Sequence, residues 1–236
     1  TSTQVGSLSS SQLRAMEVAD FAKISTTALS SISTAALSGL TTAQMVALTT
    51  DQAPVITATQ MAAISTANLA VMETADFAKL TTDAIVALTT AQAAAITNTQ
   101  MPVLTTDQLV KMETADFAAL STANIVALTT DQMASLTTAQ LKALTTTQIV
   151  KLETADLAAL SSTQIVGIEL SDLALLTTDQ VRGLTVAGPL TGLSTAQVKT
   201  LTAAQVVALT TAQVAGLTTA QISAIEIQDL SGMGTA

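Results

Sequence analysis

The chain has 236 residues, of which 49% are hydrophobic and 1% aromatic, and its net charge at pH 7 is -9. Because nucleic-acid-binding proteins use basic surfaces and aromatic stacking, this composition argues against a nucleic-acid partner. The sequence has no Cys and no His. Their absence excludes disulfides, thiolate metal sites and the catalytic and zinc roles of histidine, so we expect neither enzymatic activity nor a cofactor.

An eight-residue repeat runs through the whole chain. Stepping by eight from Leu8 reaches Leu, Ile or Met each time as far as Leu184, and one extra residue in TVAGPLTG, residues 185–192, shifts the frame to Leu193. We call these apolar residues anchors, and column n is the nth residue after an anchor. The pattern predicts a single repeat domain over residues 1–236, in which the insertion forms a bulge, a joint or a contact site.

The columns within one octad carry the signals of a helix start. Thr or Ser in column 1 and Gln in column 4, such as Thr137 and Gln140, have the spacing of a capping box. The anchor and the apolar residue in column 5, such as Leu136 and Leu141, have the spacing of a hydrophobic staple. Each octad is therefore predicted to form its own helix of about six residues.

Two other secondary structures fit the octad less well. In a continuous helix the apolar pair would rotate by about 80° per octad and could not hold one face. In a strand the anchor and column 5 would point to opposite faces. Because helices this short are unstable alone, they must stack on their neighbours. We predict an all-α solenoid of very short capped helices, with a β-solenoid as the alternative and the number of octads per coil left open.

Two prolines test the helix prediction. Pro54 and Pro102 both lie in column 6, where a helix that starts in column 1 needs the backbone amide. The sequence is consistent with helices there only if they begin later, at Asp51 and Thr99, so that proline falls in the first turn.

Glutamate and aspartate replace the capping pair together in some octads. The pairs are Glu17 with Asp20, Glu73 with Asp76, Glu113 with Asp116, Glu153 with Asp156, Glu169 with Asp172 and Glu226 with Asp229. We favour a structural interpretation, in which Asp is the N-cap, Glu extends the preceding helix and Phe fills a wider gap. The alternative is a calcium site built from the first four pairs, although calcium needs about six to eight oxygens and one pair supplies too few.

The threonine pairs suggest a second kind of surface. Stacked coils would align these pairs in ladders that resemble the flat threonine arrays of ice-binding solenoids. Those arrays read TxT on strands, whereas adjacent Thr residues here cap helices, so we expect no ice binding. For the glutamine column we favour helix capping, with amide ladders as the alternative.

The segments LTTAQMVALTT, ASLTTAQLKALTT and VALTTAQVAGLTT resemble the Ala/Thr/Gln-rich octad tracts of very large, secreted or surface-exposed bacterial repeat proteins. The resemblance covers the entire chain and implies an extracellular or cell-surface bacterial setting and a structural role. It carries over no catalytic or binding residue. No membrane span is expected, because polar residues interrupt every apolar run before the roughly 20 residues that a span needs.

The first and last octads keep the apolar columns of the inner octads, where a solenoid normally has polar caps. These residues are Leu8, Leu13, Leu217, Ile222, Ile225 and Leu230. The sequence also begins without Met and in phase, as expected for a processed protein or part of a longer tract. We expect a building block of an extracellular filament, sheath or surface matrix that pairs with itself as a homopolymer. The alternative is a passive adhesin stalk or spacer.

Overall fold

The computed structural model describes residues 1–226, and this part of the chain contains short helices and no strand. The fold has two compact units, Thr1–Leu120 and a second that starts at Ser121. The all-α prediction is thereby confirmed for the described residues, and the β-solenoid alternative is wrong. Within residues 1–226, none of the helices is both long enough and apolar enough to span a bilayer.

Each α-helix has four to six residues and lies within one octad. The helices of the first unit are α1 (Ser2–Gly6), α2 (Ser10–Ala15), α3 (Val18–Phe21), α4 (Thr26–Leu29), α5 (Thr34–Leu37), α6 (Thr42–Val46), α7 (Ala58–Ala63), α8 (Thr66–Val71), α9 (Thr74–Phe77), α10 (Thr82–Val86), α11 (Thr90–Ala95), α12 (Thr106–Lys111) and α13 (Thr114–Ala119). Those of the second unit are α14 (Thr122–Val126), α15 (Thr130–Ser135), α16 (Thr138–Ala143), α17 (Thr146–Ile149), α18 (Thr154–Ala159), α19 (Leu170–Leu173), α20 (Thr178–Gly183), α21 (Thr195–Thr200), α22 (Ala203–Val207), α23 (Thr211–Gly216) and α24 (Thr219–Ala224). Turns of 3₁₀ helix occupy Ala53–Val55, Met101–Val103 and Ile165–Gly167.

The predicted capping box and staple are found at the start of many helices, although the helices that begin after Glu lack the box. In α16 the Thr137 hydroxyl accepts from the Gln140 amide at 3.1 Å, and the Gln140 side chain accepts from the Thr137 amide at 3.1 Å. Leu136 and Leu141 are both buried, as are most anchors and column-5 residues in the described part of the chain. Burial of one such side chain contributes roughly 1.5–3 kcal/mol, so stacking supplies the stability that each helix lacks alone.

Contacts between coils fix the coil length. Helices that pack on each other start three octads apart, as α8 and α11 do. Side-chain contacts join residues slightly further apart, such as Lys142 and Glu169 at 27 positions or Gln44 and Met16 at 28 positions. One coil therefore takes about 27 residues, a little more than three octads.

The two proline octads begin their helices later than predicted. Their helical turns are Ala53–Val55 and Met101–Val103, and both are 3₁₀ turns with Pro in the first two positions. The starts expected at Asp51 and Thr99 are wrong. Proline has no amide proton to donate, so the α-type i→i−4 bonds stop at the Ala53 and Met101 amides and a tighter turn follows.

The insertion at 185–192 is a bulge within a helical turn. Val186–Leu190 forms one wide turn of the π type with a kink at Gly188, whose φ of -129° and ψ of -115° are not helical. The Leu190 amide donates to the Thr185 carbonyl at 3.1 Å, five residues back. Such a turn holds one residue more than an α-turn. The coil that contains the insertion is one residue longer, since Gln205 contacts Leu176 at 29 positions whereas the usual separation is 28.

Candidate functional site: the glutamine contacts between coils

Buried glutamine side chains connect each coil to the coil before it. Gln92 is 2% exposed. Its Oε1 accepts from the Thr89 amide at 2.8 Å, while its Nε2 donates to the Met61 and Ile64 carbonyls, both at 2.7 Å. The first bond satisfies an amide at the start of its own helix, and the other two reach carbonyls at the end of α7 in the coil beneath. Backbone amides at a helix start and backbone carbonyls at a helix end lack intrahelical partners. One glutamine side-chain amide therefore caps two helices.

The same arrangement recurs in both units. The glutamines that cap their own octad and donate to the two equivalent carbonyls of the previous coil include Gln44, Gln52, Gln60, Gln92, Gln100, Gln197, Gln205, Gln213 and Gln221. Helix capping by this column is confirmed. In these octads the amides bond to backbone carbonyls of the neighbouring coil, so they do not form the ladder that was the alternative.

Sequence reasoning missed the second role of column 4, which is to donate hydrogen bonds to the previous coil, although the sequence holds a signal for it. No octad has Glu in this column. Glutamate serves a capping box as well as glutamine does, because both supply the acceptor oxygen. Only an amide also supplies N–H donors. Gln is the commonest residue of this column and Glu never occurs, which indicates that the side chain donates as well as accepts in the Gln octads, unlike the Asp of the Glu/Asp octads.

The Glu/Asp octads keep the register of the Thr/Gln octads, so the predicted shift of the cap, with Asp as the N-cap and Glu in the preceding helix, is wrong. The N-cap is the glutamate, as at Glu73, and it makes no side-chain capping bond. Asp76 is the third residue of α9 and is 2% exposed, and Phe77 beside it is fully buried. The register is set by burial of the anchor and column 5, which are apolar in these octads too. Asp229 of the last pair lies outside the described residues.

The eight carboxylates considered for calcium do not form a common site. They are Glu17, Asp20, Glu73, Asp76, Glu113, Asp116, Glu153 and Asp156, and no three acidic residues within residues 1–226 come together as metal ligands would. The glutamates are exposed, whereas Asp76, Asp116 and Asp156 are buried. Asp20 is exposed and lies 3.7 Å from Lys23. The pairs therefore divide their carboxylates between solvent and the interior.

Burial perturbs three of these aspartates. It raises the pKa of Asp76 above its ordinary value, and the nearby Glu73 charge adds to the increase. Burial likewise raises the pKa of Asp116, against a hydrogen bond from the Thr90 side chain that lowers it. Burial raises the pKa of Asp156, while a hydrogen bond from the Glu153 backbone acts in the opposite direction. Loss of hydration disfavours the charged form in each case.

Column 7 contacts column 2 of the coil beneath and is often occupied by small residues. A Cβ atom at Gly167 would lie 2.6 Å from the Thr138 carbonyl oxygen, and one at Gly39 would overlap the Ser10 carbonyl. Column 2 is the second position of each threonine pair. The second position of a Thr or Ser pair therefore lies against column 7 of the next coil where that column holds Gly39 or Gly167.

Ion pairs join the outer edges of the coils. Lys142 lies 3.4 Å from Glu169, and Lys199 lies 3.8 Å from Glu226, each pair 27 positions apart. All four side chains are substantially exposed, so each pair contributes at most about 1 kcal/mol. These pairs indicate the spacing of the coils, but they contribute little to the stability of the fold.

The repeat itself identifies the family. The profile of the ALTTAQ repeat matches residues 13–50, 69–106, 109–146, 149–186 and 189–219, which together make up more than half of the chain. The chain belongs to the ALTTAQ repeat family. From residue 69 onward the matches start every 40 residues, so one ALTTAQ repeat contains five octads. A comparison with curated proteins finds no match.

Proposed function

We propose that this ALTTAQ repeat chain is a structural building block of an extracellular bacterial filament, sheath or surface matrix. The observation that carries the proposal is the polarity of the contact between coils. Gln Nε2 groups of one coil donate, and backbone carbonyls of the coil beneath accept, as between Gln60 and the Leu29 and Ile32 carbonyls. The two sides of the interface are different, and such heterologous contacts propagate when they do not close into a ring.

The partner in this proposal is a second copy of the chain. The octads share a few residue types in their apolar columns and most have the column-4 glutamine, so two coils from different copies can form the contact that joins coils within one copy. The proposal assigns no catalytic role, cofactor or nucleic-acid partner. The extracellular setting rests on the resemblance to secreted and surface repeat tracts.

Electron microscopy and sedimentation of the purified chain test this proposal. We expect ordered filaments that lengthen with protein concentration. In a matched control, a folded globular domain is fused before Thr1. This domain covers the first coil, so the control should assemble poorly. Monodisperse particles at high concentration, in both samples, would contradict the proposal.

A passive stalk or spacer is the second candidate, and one surface feature favours it. Exposed valines recur every 40 residues, as Val46 and Val86 do in the first unit and Val126 and Val166 in the second. Because a coil takes about 27 residues, successive valines do not stack in one stripe. Valines that recur every 40 residues without forming a single stripe suit a spacer, and the monodisperse result described above would support this role.

A further inference from the structure

Two aspartates occupy the glutamine column with one buried oxygen that has no hydrogen-bond partner. Asp76 is 2% exposed and Asp156 is 4% exposed. Oδ2 of each is buried without a partner. A buried polar atom without a partner costs free energy, so an ionised carboxylate is a poor occupant of either position.

The neighbouring octads show what this position requires. Asn68, an amide of the same length as aspartate, donates from Nδ2 to the Leu40 carbonyl at 2.9 Å, 28 positions earlier. The residues at the same separation from Asp76 and Asp156 are the anchors Leu48 and Leu128. A carboxylate and a carbonyl are both hydrogen-bond acceptors and cannot bond to each other, whereas a protonated carboxyl has one O–H to donate.

The other oxygen of Asp156 already acts as glutamine Oε1 does. The Glu153 backbone amide donates to the Asp156 carboxyl, which is the reciprocal bond of a capping box. Oδ2 therefore corresponds to glutamine Nε2, the atom that donates to the previous coil. Asp116 differs from this pair, because the Thr90 side chain supplies it with a hydrogen bond.

We propose that Asp76 and Asp156 form proton-operated latches between coils, each donating from a protonated Oδ2 to the anchor carbonyl of the coil beneath. The ionised form has no proton to donate and leaves the contact open. The chain thus binds its coils together more tightly in acid and loosens two of these contacts as the pH rises. Acidification acts on the interior of the fold and not on a surface site.

The charged neighbours of each latch do not supply the missing donor. Glu73 acts on Asp76 as a like charge, and Lys79, three positions after Asp76 in the sequence, is exposed. The 3₁₀ turn Met101–Val103, which packs on α9, carries no titratable residue.

Around Asp156, α18 packs on α15, on α20 and on the π-turn. Those elements contribute Asp131, Asp179 and Arg182, and all three are exposed. Glu153 adds a like charge that raises the pKa of Asp156.

The sign of the pH effect follows from the raised pKa values. The folded state of each aspartate binds its proton more tightly than the unfolded state, whose pKa lies near the ordinary 3.8. The stabilisation is complete below about 3.8 and is lost as the pH rises through the folded-state pKa.

Chemical unfolding between pH 3 and pH 8 tests the latch. We compare the native chain with the double variant Asp76→Asn/Asp156→Asn, which carries permanent donors. Between pH 3.8 and the folded-state pKa values of the two aspartates, the decimal logarithm of the unfolding constant should rise with pH more steeply in the native chain than in the variant. The difference in slope should reach up to about two per pH unit, one for each aspartate. At pH 7 the asparagine variant should be the more stable protein. Parallel profiles would overturn the proposal.

Two further measurements distinguish hydrogen-bond donation by the aspartate carboxyls from the effect of their burial alone. In the variant Asp76→Leu/Asp156→Leu the carboxyl is removed without a donor, so we expect lower stability than in the asparagine variant at every pH. Equal stability of the two variants would contradict the latch. Carboxyl ¹³C titration should place the pKa values of Asp76 and Asp156 above that of exposed Asp20, and coincident titration of all three would also overturn the proposal.

Discussion

At the scale of single residues, the glutamine of column 4 does more than a capping residue ordinarily does. Its oxygen serves an amide at the start of one helix, and its nitrogen serves carbonyls at the end of another helix in the previous coil. Glutamine is usually a surface residue, yet here it is almost fully buried. Burial is tolerated because the side chain's acceptor and donor groups are both hydrogen-bonded.

Replacement of Gln92 by methionine keeps the size of the side chain and removes its hydrogen bonds. The Thr89 amide and the Met61 and Ile64 carbonyls then lose a partner, and each buried group left unsatisfied costs about 1–3 kcal/mol. We expect the free energy of unfolding to fall by about 2–5 kcal/mol in urea denaturation.

Gln12 provides the matched control for this substitution. It caps its own octad through the Ser9 amide at 2.8 Å, and it is exposed. We expect Gln12→Met to cost only the roughly 0.5–2 kcal/mol of a cap. Equal losses at the two positions would show that the bonds between coils contribute nothing.

Glycine in column 7 marks a close approach of backbones. A Cβ atom at Gly39 would overlap the Ser10 carbonyl of the coil beneath, so Gly39→Ala must push the two coils apart. We expect a loss of about 1–3 kcal/mol in thermal or urea unfolding, although alanine favours helices. Gly6 is the control, because a Cβ atom there would lie 3.0 Å from its nearest neighbour, the Ser31 carbonyl oxygen. A stabilising Gly39→Ala substitution would contradict the contact.

At the scale of the helix, the octad could be interpreted from sequence because its signals are local. The capping box of Thr137 and Gln140 and the staple of Leu136 and Leu141 act within eight residues, and both are found as predicted. The coil length could not be derived from the octad, because the octad looks the same whether three or four units make a coil. The donors of the glutamine column were missed for the same reason, since their acceptors lie about 30 positions away.

The Glu/Asp octads show where a local interpretation failed. Aspartate is a strong N-cap residue, so a cap at Asp76 was the natural prediction. The structure instead keeps the cap at Glu73 and buries Asp76, because a shifted helix would expose Met72 and Phe77. Burial of two apolar side chains outweighs the preference of one capping residue.

Deletion of Gly188 tests how the fold absorbs a change of register. Removal of this residue restores the octad phase, so the π-turn should become an ordinary helical turn with little loss of cooperativity or stability. Deletion of Ala204 within α22 is the control, since it shortens a regular octad and misplaces its anchor or its column 5. We expect the control to lower the thermal midpoint strongly. Equal effects of both deletions would show that the insertion is not a simple bulge.

At the scale of the whole chain, each lysine has an acidic residue about one coil away. The separation is 27 or 28 positions, which is not a multiple of eight. The pairs are Lys23 with Asp51, Lys79 with Asp51, Lys111 with Asp83, Lys142 with Glu169, Lys151 with Asp179 and Lys199 with Glu226. Lys142 and Lys199 contact their partners directly. This spacing is the signal in the sequence from which the coil length could have been predicted.

Zero-length crosslinking of the native chain tests the coil of about 27 residues most directly. A carbodiimide joins a lysine amine to a carboxylate only when the two are in contact, and mass spectrometry of the digest identifies the linked positions. We predict links between Lys142 and Glu169 and between Lys199 and Glu226, which are 3.4 Å and 3.8 Å apart. The remaining long-range links should also span 27 or 28 positions. Long-range links at other separations, such as the 20 positions between Lys151 and Asp131 or between Lys199 and Asp179, with none at 27 or 28, would contradict the coil and the glutamine contacts that depend on it.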